Sequence, residues 1–111
     1  MRKINASDLP TTQAHNKVSR KALVKVGDMK SSIQTVNDAL LKPEEGFEPH
    51  RHIDGEEIYY FLEGSGIMQI EGNDFDVKYG DCIIIEVGES HGLKNNSTKL
   101  LRFITIRSSF Q

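Results

Sequence analysis

An all-β sandwich or barrel is the fold class this sequence predicts, and three observations predict it. Short runs rich in β-branched and aromatic residues recur from Lys21 to Arg107. Turn signals separate them at Glu63-Gly64-Ser65-Gly66, Gly72-Asn73-Asp74, Gly80-Asp81, Gly88-Glu89 and Asn95-Asn96-Ser97. No segment of helical length carries apolar side chains at a 3.6-residue period. Closely spaced short strands with such turns are the pattern of antiparallel sheets that close or stack.

The elements follow in chain order. Residues 1–19 are polar and weakly patterned and read as an N-terminal extension, leaving one β-domain over 20–111. Within the extension, Ser7-Asp8-Leu9-Pro10 predicts a turn with a short helical piece, and His15 reads as an exposed loop residue. Lys21–Val26 is a strand stopped by Gly27-Asp28. Ser31–Leu41 is the next, with Ile33, Thr35, Asn37, Ala39 and Leu41 on one face, and Pro43 ends it. Further strands are expected at Glu57–Leu62, Ile67–Glu71, Phe75–Tyr79, Cys82–Val87, Ser90–Lys94 and Lys99–Arg107. Cys82 opens the run Cys-Ile-Ile-Ile and reads as a small buried hydrophobe.

The strand Glu57–Leu62 is informative on both faces. Glu57, Tyr59 and Phe61 leave one side; Ile58, Tyr60 and Leu62 leave the other. Both are apolar, which a strand with one wet face does not show. With the Glu57 side turned inward, the Ile58 side needs a cover from the N-terminal segment or a second subunit, so a homodimer is expected.

Composition bounds the partners. A chain of 111 residues suits one domain, and 37% hydrophobic residues suffice for one core. A net charge of −2 without a basic stripe argues against nucleic acid. No apolar run reaches spanning length, so no membrane segment is expected. The single cysteine, Cys82, leaves no internal disulfide and fits a reducing compartment, so the expected location is cytoplasmic. Acidic residues gather between Glu44 and Glu63, which suits either a bound cation or a solvated loop.

Four residues carry the candidate chemistry. His50 and His52 are two apart, so in an extended chain both imidazoles leave one face. Glu57 is expected beside them from the neighbouring strand of a hairpin. His91 follows the Gly88-Glu89 turn and starts another strand. Taken alone, a histidine in a β-protein is more often a hydrogen-bonded structural residue, and His-x-His is common by chance. Three neutral imidazoles and one carboxylate, taken together, suit one divalent transition metal: Fe, Zn, Ni, Mn or Cu. Such a set leaves coordination positions open, unlike a closed structural zinc site.

Two spaced motifs resemble those of the cupin superfamily. The first is written G-x5-H-x-H-x3,4-E-x6-G, and His50, His52, Glu57 and Gly64 fit it from the first histidine onward. The second is written G-x5-P-x-G-x2-H-x3-N, and Gly80, Gly88, His91 and Asn95 fit it. The 15 residues Ser65 to Tyr79 separate them, the short spacer of small microbial members. Gly46 stands four rather than six positions before His50, which touches only the entry turn. Glu86 stands where the family has proline, which is expected to loosen the turn before His91. Glu56 competes with Glu57 for the carboxylate role, and the spacing to Gly64 favours Glu57. The resemblance covers residues 20 to 107 and implies a jelly-roll barrel, commonly dimeric, with His50, His52, Glu57 and His91 as metal ligands.

The resemblance implies no single activity, because cupins include dioxygenases, decarboxylases, isomerases, epimerases and non-enzymatic binding proteins. The leading expectation is a small metal-dependent enzyme, of dioxygenase or isomerase type, acting on a small oxygen-rich molecule. The rival is a binding or sensor module in which the metal holds a ligand or stabilises the barrel. A metal-free epimerase type fits less well, since the ligand set is complete. Tyr59 and Phe61 are expected to line the pocket, joined by Met68, Ile70 and Phe103. The pattern places no arginine or lysine inward, so a phosphate or multiply charged acid is not indicated.

Overall fold

The computed structural model describes residues 1–14 and 18–110, which form two antiparallel sheets. His15, read as a loop residue, lies outside the described residues. The larger sheet contains β1 (Thr12–Ala14), β2 (Val18–Val24), β3 (Ile33–Leu41), β5 (Glu57–Glu63), β8 (Cys82–Ile85) and β10 (Leu101–Ser108). Its order is β1-β2-β3-β10-β5-β8. The smaller contains β4 (Gly46–His50), β6 (Ser65–Ile70), β7 (Asn73–Lys78) and β9 (His91–Lys94), in the order β4-β9-β6-β7. This is a jelly roll. The turn read at Ser7-Asp8 holds a short 3-10 helix, Ala6–Asp8, whose cap Asn5 accepts the Ser7 N–H at 2.9 Å.

Period-two alternation decides what each strand buries. Register aligns the inner face of the large sheet in rows: Leu41 with Leu101, then Ala39 with Phe103 and Phe61. Next come Asn37, Thr105 and Tyr59, and finally Thr35, Arg107 and Glu57. Phe61, Phe103, Leu41 and Leu101 are fully buried against Met68 and Leu93 of the small sheet. Burying each such side chain is worth about 1.5–3 kcal/mol. Phe103 packs against Tyr59 and Phe61 at ring-centroid distances of 5.8 and 5.7 Å. Gly64 ends β5 at φ +86°, and a Cβ there would overlap the Leu100 carbonyl, so the turn into β6 admits little else.

Three expectations are corrected. The large sheet begins earlier than Lys21: β2 starts at Val18, and β1 pairs with it through Thr12↔Arg20 and Ala14↔Val18. Cys82 is exposed rather than buried. It pairs with Tyr60 across β5 and β8 and so shares the outward face of that tyrosine. Alternation sends Ile83 and Ile85 toward the core instead. Finally, β4 does not form a hairpin with β5. It pairs with β9, so the histidine and glutamate motifs reach the same place from opposite sheets.

Candidate metal centre

β4 ends on His50, and β9 begins on His91, its direct cross-strand partner. Their rings lie 4.4 Å apart, centroid to centroid. His52 sits past the end of β4, in the connection leading to β5. Its own carbonyl accepts the Gly88 N–H at 2.8 Å, while Arg51 Nη1 donates to the Gly88 carbonyl at 2.9 Å. The loop carrying His52 is therefore tied to the turn that presents His91. Gly55, farther along this connection, is buried where a Cβ would overlap the Ser108 carbonyl.

The turn before His91 is firmly held. The Glu86 N–H, a donor that proline lacks, bonds Glu89 Oε1 at 2.8 Å, and the Glu89 N–H bonds the Glu86 carbonyl at 3.1 Å. Ser90 N–H is taken by Glu71 Oε1 at 2.8 Å. The expected loosening at Glu86 is thus corrected: a side-chain cap replaces the proline. Asn95, at the far end of β9, is fully buried and donates to the Leu41 and Lys99 carbonyls at 3.0 and 2.7 Å. Its motif position is accounted for by joining β9 to the sheet opposite.

The donor atoms of His50, His52 and His91 all lie within 4.8 Å of one another. Glu57 Oε1 lies 3.2 Å from His91 Nε2 and 3.6 Å from His52 Nε2. Glu56 is exposed, so Glu57 is the carboxylate that faces the imidazoles. The backbone orients the rings as well. Nδ1 of His91 lies 3.0 Å from the Glu89 carbonyl, and Nδ1 of His50 lies 3.4 Å from that of Glu48. A carbonyl only accepts, so each Nδ1 carries the proton and each Nε2 is turned over to the site.

This leaves His91 between two acceptors, the Glu89 carbonyl and the Glu57 carboxylate. Without a metal such an imidazole is satisfied by holding a second proton. Burial works against that charge, but the Glu57 and Glu89 hydrogen bonds outweigh it, and the His91 pKa is raised. His52 moves the other way: burial, helped by Arg107 and His91, lowers its pKa against the pull of Glu57. A cation held by His50, His52 and His91 would resolve the conflict, with the Glu57 carboxylate beside it. Three nitrogen donors and one oxygen fit a divalent transition metal and do not choose among Fe, Zn, Ni, Mn and Cu.

The centre opens into a cavity of about 410 Å³, within the usual range of small-ligand sites. His50, His52, Glu57 and Tyr59 form one part of its wall, with Phe103 beyond. Tyr59 is buried beside Glu57; burial first, then the carboxylate charge, push its pKa well above the usual tyrosine range, so it stays protonated. Phe61 is fully buried one row deeper and lies behind the wall. Met68 is likewise in the core, and Ile70 packs against it. The expectation of no inward cation is overturned: Arg20 and Arg107 both line the cavity. For Arg107 the signal was present, because Leu101, Phe103, Thr105 and Arg107 alternate inward together. Arg20 escaped because its strand begins before Lys21.

A family profile described as a cupin domain matches residues 38–107. The chain belongs to the cupin family. Among curated proteins, this cupin is 37% identical over 57 residues to an oxalate-binding protein of Thermotoga maritima. That stretch is 51% of the chain and 47% of the relative. An uncharacterized protein of Methanocaldococcus jannaschii is 46% identical over 46 residues, which is 41% of the chain and 37% of that relative. The chain thus spans less than half the length of both relatives. Among solved structures, a predicted oxalate decarboxylase from Thermotoga maritima superposes with a TM-score of 0.91 at 24% identity. The superposition covers 98% of this chain and 100% of that one, and at this identity it shows the fold.

Proposed function

We propose that this cupin holds one divalent transition metal on His50, His52, His91 and Glu57 and acts as a small enzyme on an oxygen-rich molecule. The observation that carries the reading is the convergence of three imidazole donors and a carboxylate on the wall of one ligand-sized cavity. A metal bound there supplies Lewis acidity to a ligand oxygen. The chain's own residues supply the rest: Glu89 and Glu48 carbonyls fix the imidazole tautomers, and Tyr59, kept neutral, lies beside the carboxylate. Dioxygenase and isomerase types both fit this arrangement.

A second reading is a binding module without turnover, and the name of the oxalate-binding relative favours it. Supplying each metal in turn with oxygen and a panel of oxalate, diols, hydroxy acids and sugars separates the two. Product formation or oxygen uptake that disappears in Glu57→Ala is expected. Tight binding of one compound with no turnover under any metal would retire the enzyme in favour of the binding module.

The same proposal includes a cytoplasmic homodimer. No helix among the described residues is long and apolar enough to cross a membrane. Tyr60, Leu62 and Ile84 stand 43%, 37% and 62% exposed on one face of the large sheet, which the N-terminal turn does not cover. Light scattering is expected to give twice the chain mass, and a monomer at micromolar concentration would contradict it.

A further inference from the structure

The cavity wall contains two cations that the metal centre does not use. Arg107 stands directly across the β10–β5 pair from Glu57, next to the histidines, and its charge is among those lowering the His52 pKa. Its Nη2 is held by Asp54 at 2.9 and 3.1 Å, yet its Nε is buried without a hydrogen-bond partner. Arg20 lies on β2, opposite Ala39, and its Nε is likewise buried and unpartnered. No acidic side chain pairs with Arg20 among the described residues. Buried N–H groups without an acceptor are rare in folded proteins. These two are closed off from the cavity, but both residues stand on its wall, where the outer nitrogens of a guanidinium can meet an anion from outside the chain.

Register sets how these cations are spaced. Arg107 aligns with Thr35 of β3 and Arg20 with Ala39, four residues along the same strand. At the rise of a β-strand this is about 13 Å along the strand axis, and the two arginines lie on opposite sides of β3, about 10 Å apart across it. Asn37, hydrogen-bonded to Thr105 at 3.3 Å, lies between them on the same wall. Two separated guanidiniums match two separated planar carboxylates, each met by a nitrogen fork, better than one tetrahedral phosphate. The charge balance agrees. Glu57 on the wall and Asp54 behind Arg107 stand against two arginines, so Arg20 is the cation with no carboxylate partner among the described residues, and a divalent metal would add further positive charge.

We propose that Arg107 and Arg20 form a two-point anion site on the open side of the metal centre, making the ligand a dicarboxylic acid longer than oxalate. This rests on the metal reading above. One carboxylate sits at the metal beside Arg107, and the other reaches Arg20 across the Asn37–Thr105 row. Arg107 acts on every carboxylate bound at the metal. Arg20 acts only on acids long enough to reach it and so sets specificity.

The test is calorimetric titration of the cobalt-loaded protein with succinate, malate, oxalate and acetate at fixed ionic strength. Arg20→Gln is expected to weaken succinate and malate by about tenfold or more, with oxalate and acetate nearly unchanged. Arg107→Gln is expected to weaken all four, and Arg20→Lys to keep part of the diacid affinity because it keeps the charge but not the fork. Bound cobalt, measured by elemental analysis, and the circular dichroism spectrum show whether each variant is folded and loaded. Wild-type succinate affinity in loaded Arg20→Gln would overturn the proposal and leave the metal centre standing. A loaded wild type that binds acetate as well as succinate would do the same. Wild type that takes up no cobalt or other transition metal would overturn the metal reading and this proposal with it.

Discussion

The two ends of the large sheet's inner face are built by the same strands and differ only in what those strands carry. At one end, Leu41, Leu101, Phe103 and Phe61 fill the space between the sheets, and the buried Asn95 amide beside them is satisfied by the Leu41 and Lys99 carbonyls. At the other, Thr35, Asn37, Thr105, Arg107 and Glu57 occupy equivalent inward positions and leave a cavity. Tyr59 sits at the boundary, with its ring against Phe103 and Glu57 the next inward residue along β5. The difference separates stability from function along one set of strands. The closed end supplies burial energy, and that allows the open end to retain unpartnered N–H groups and an imidazole between two acceptors.

The closed end should show the largest effect. Phe61→Ala is expected to cost about 3–5 kcal/mol in a denaturant titration, because the surrounding aromatics cannot collapse into the void. The cost should be equal with and without metal. If Phe61→Ala changed metal affinity more than stability, the two ends would not be separable in this way.

At the open end, metal should contribute less, and only by linkage. Metal supplied at about a hundredfold over its dissociation constant is expected to stabilise the fold by about 2.7 kcal/mol, a gain a chelator removes. His91→Ala should lose that gain. A chelator that unfolded the protein outright would mean that the closed end is not sufficient by itself.

The smallest effect is in pH, and its sign is fixed by His91. Its pKa is raised above the ordinary 6.5, so near that pH the metal-free ring holds a proton that the metal must displace. Metal affinity should therefore rise as pH increases through the neutral range. The release of protons on loading should be larger at about pH 6 than at about pH 8. His52, with its lowered pKa, gives up its proton before His91 as pH rises and so contributes less to the release. Calorimetry in two buffers of different ionisation heat reads the proton count directly, and a pH-independent count would refute the assignment.

Much of this was legible in the sequence. Turn residues and period-two alternation predicted β2, β3 and β5 to β10 but neither β1 nor β4, and the inward set Glu57, Tyr59, Phe61 followed from alternation alone. The histidines and Glu57 were found by motif spacing. What spacing could not give was which strand faces which: β4 pairs with β9, so Glu57 meets the histidines across the barrel and not along a hairpin. Cys82 was misplaced because an apolar run has no alternation to read, and only its pairing with Tyr60 turns it outward. The Glu86–Glu89 cap depends on tertiary placement and Arg20 fell outside the expected strand, whereas Arg107 was readable from the alternation of β10. A polar side chain at the start of a strand looks the same in sequence whether it faces water or a ligand.

The central claim, that these histidines form a metal centre, is tested most directly by elemental analysis of the untagged protein beside a His50→Ala, His52→Ala double variant. About one transition metal ion per wild-type chain is expected, and none in the double variant, with the β-sheet circular dichroism of the two preserved. Equal metal content in both proteins, or none in the wild type after incubation with each candidate metal, would contradict it.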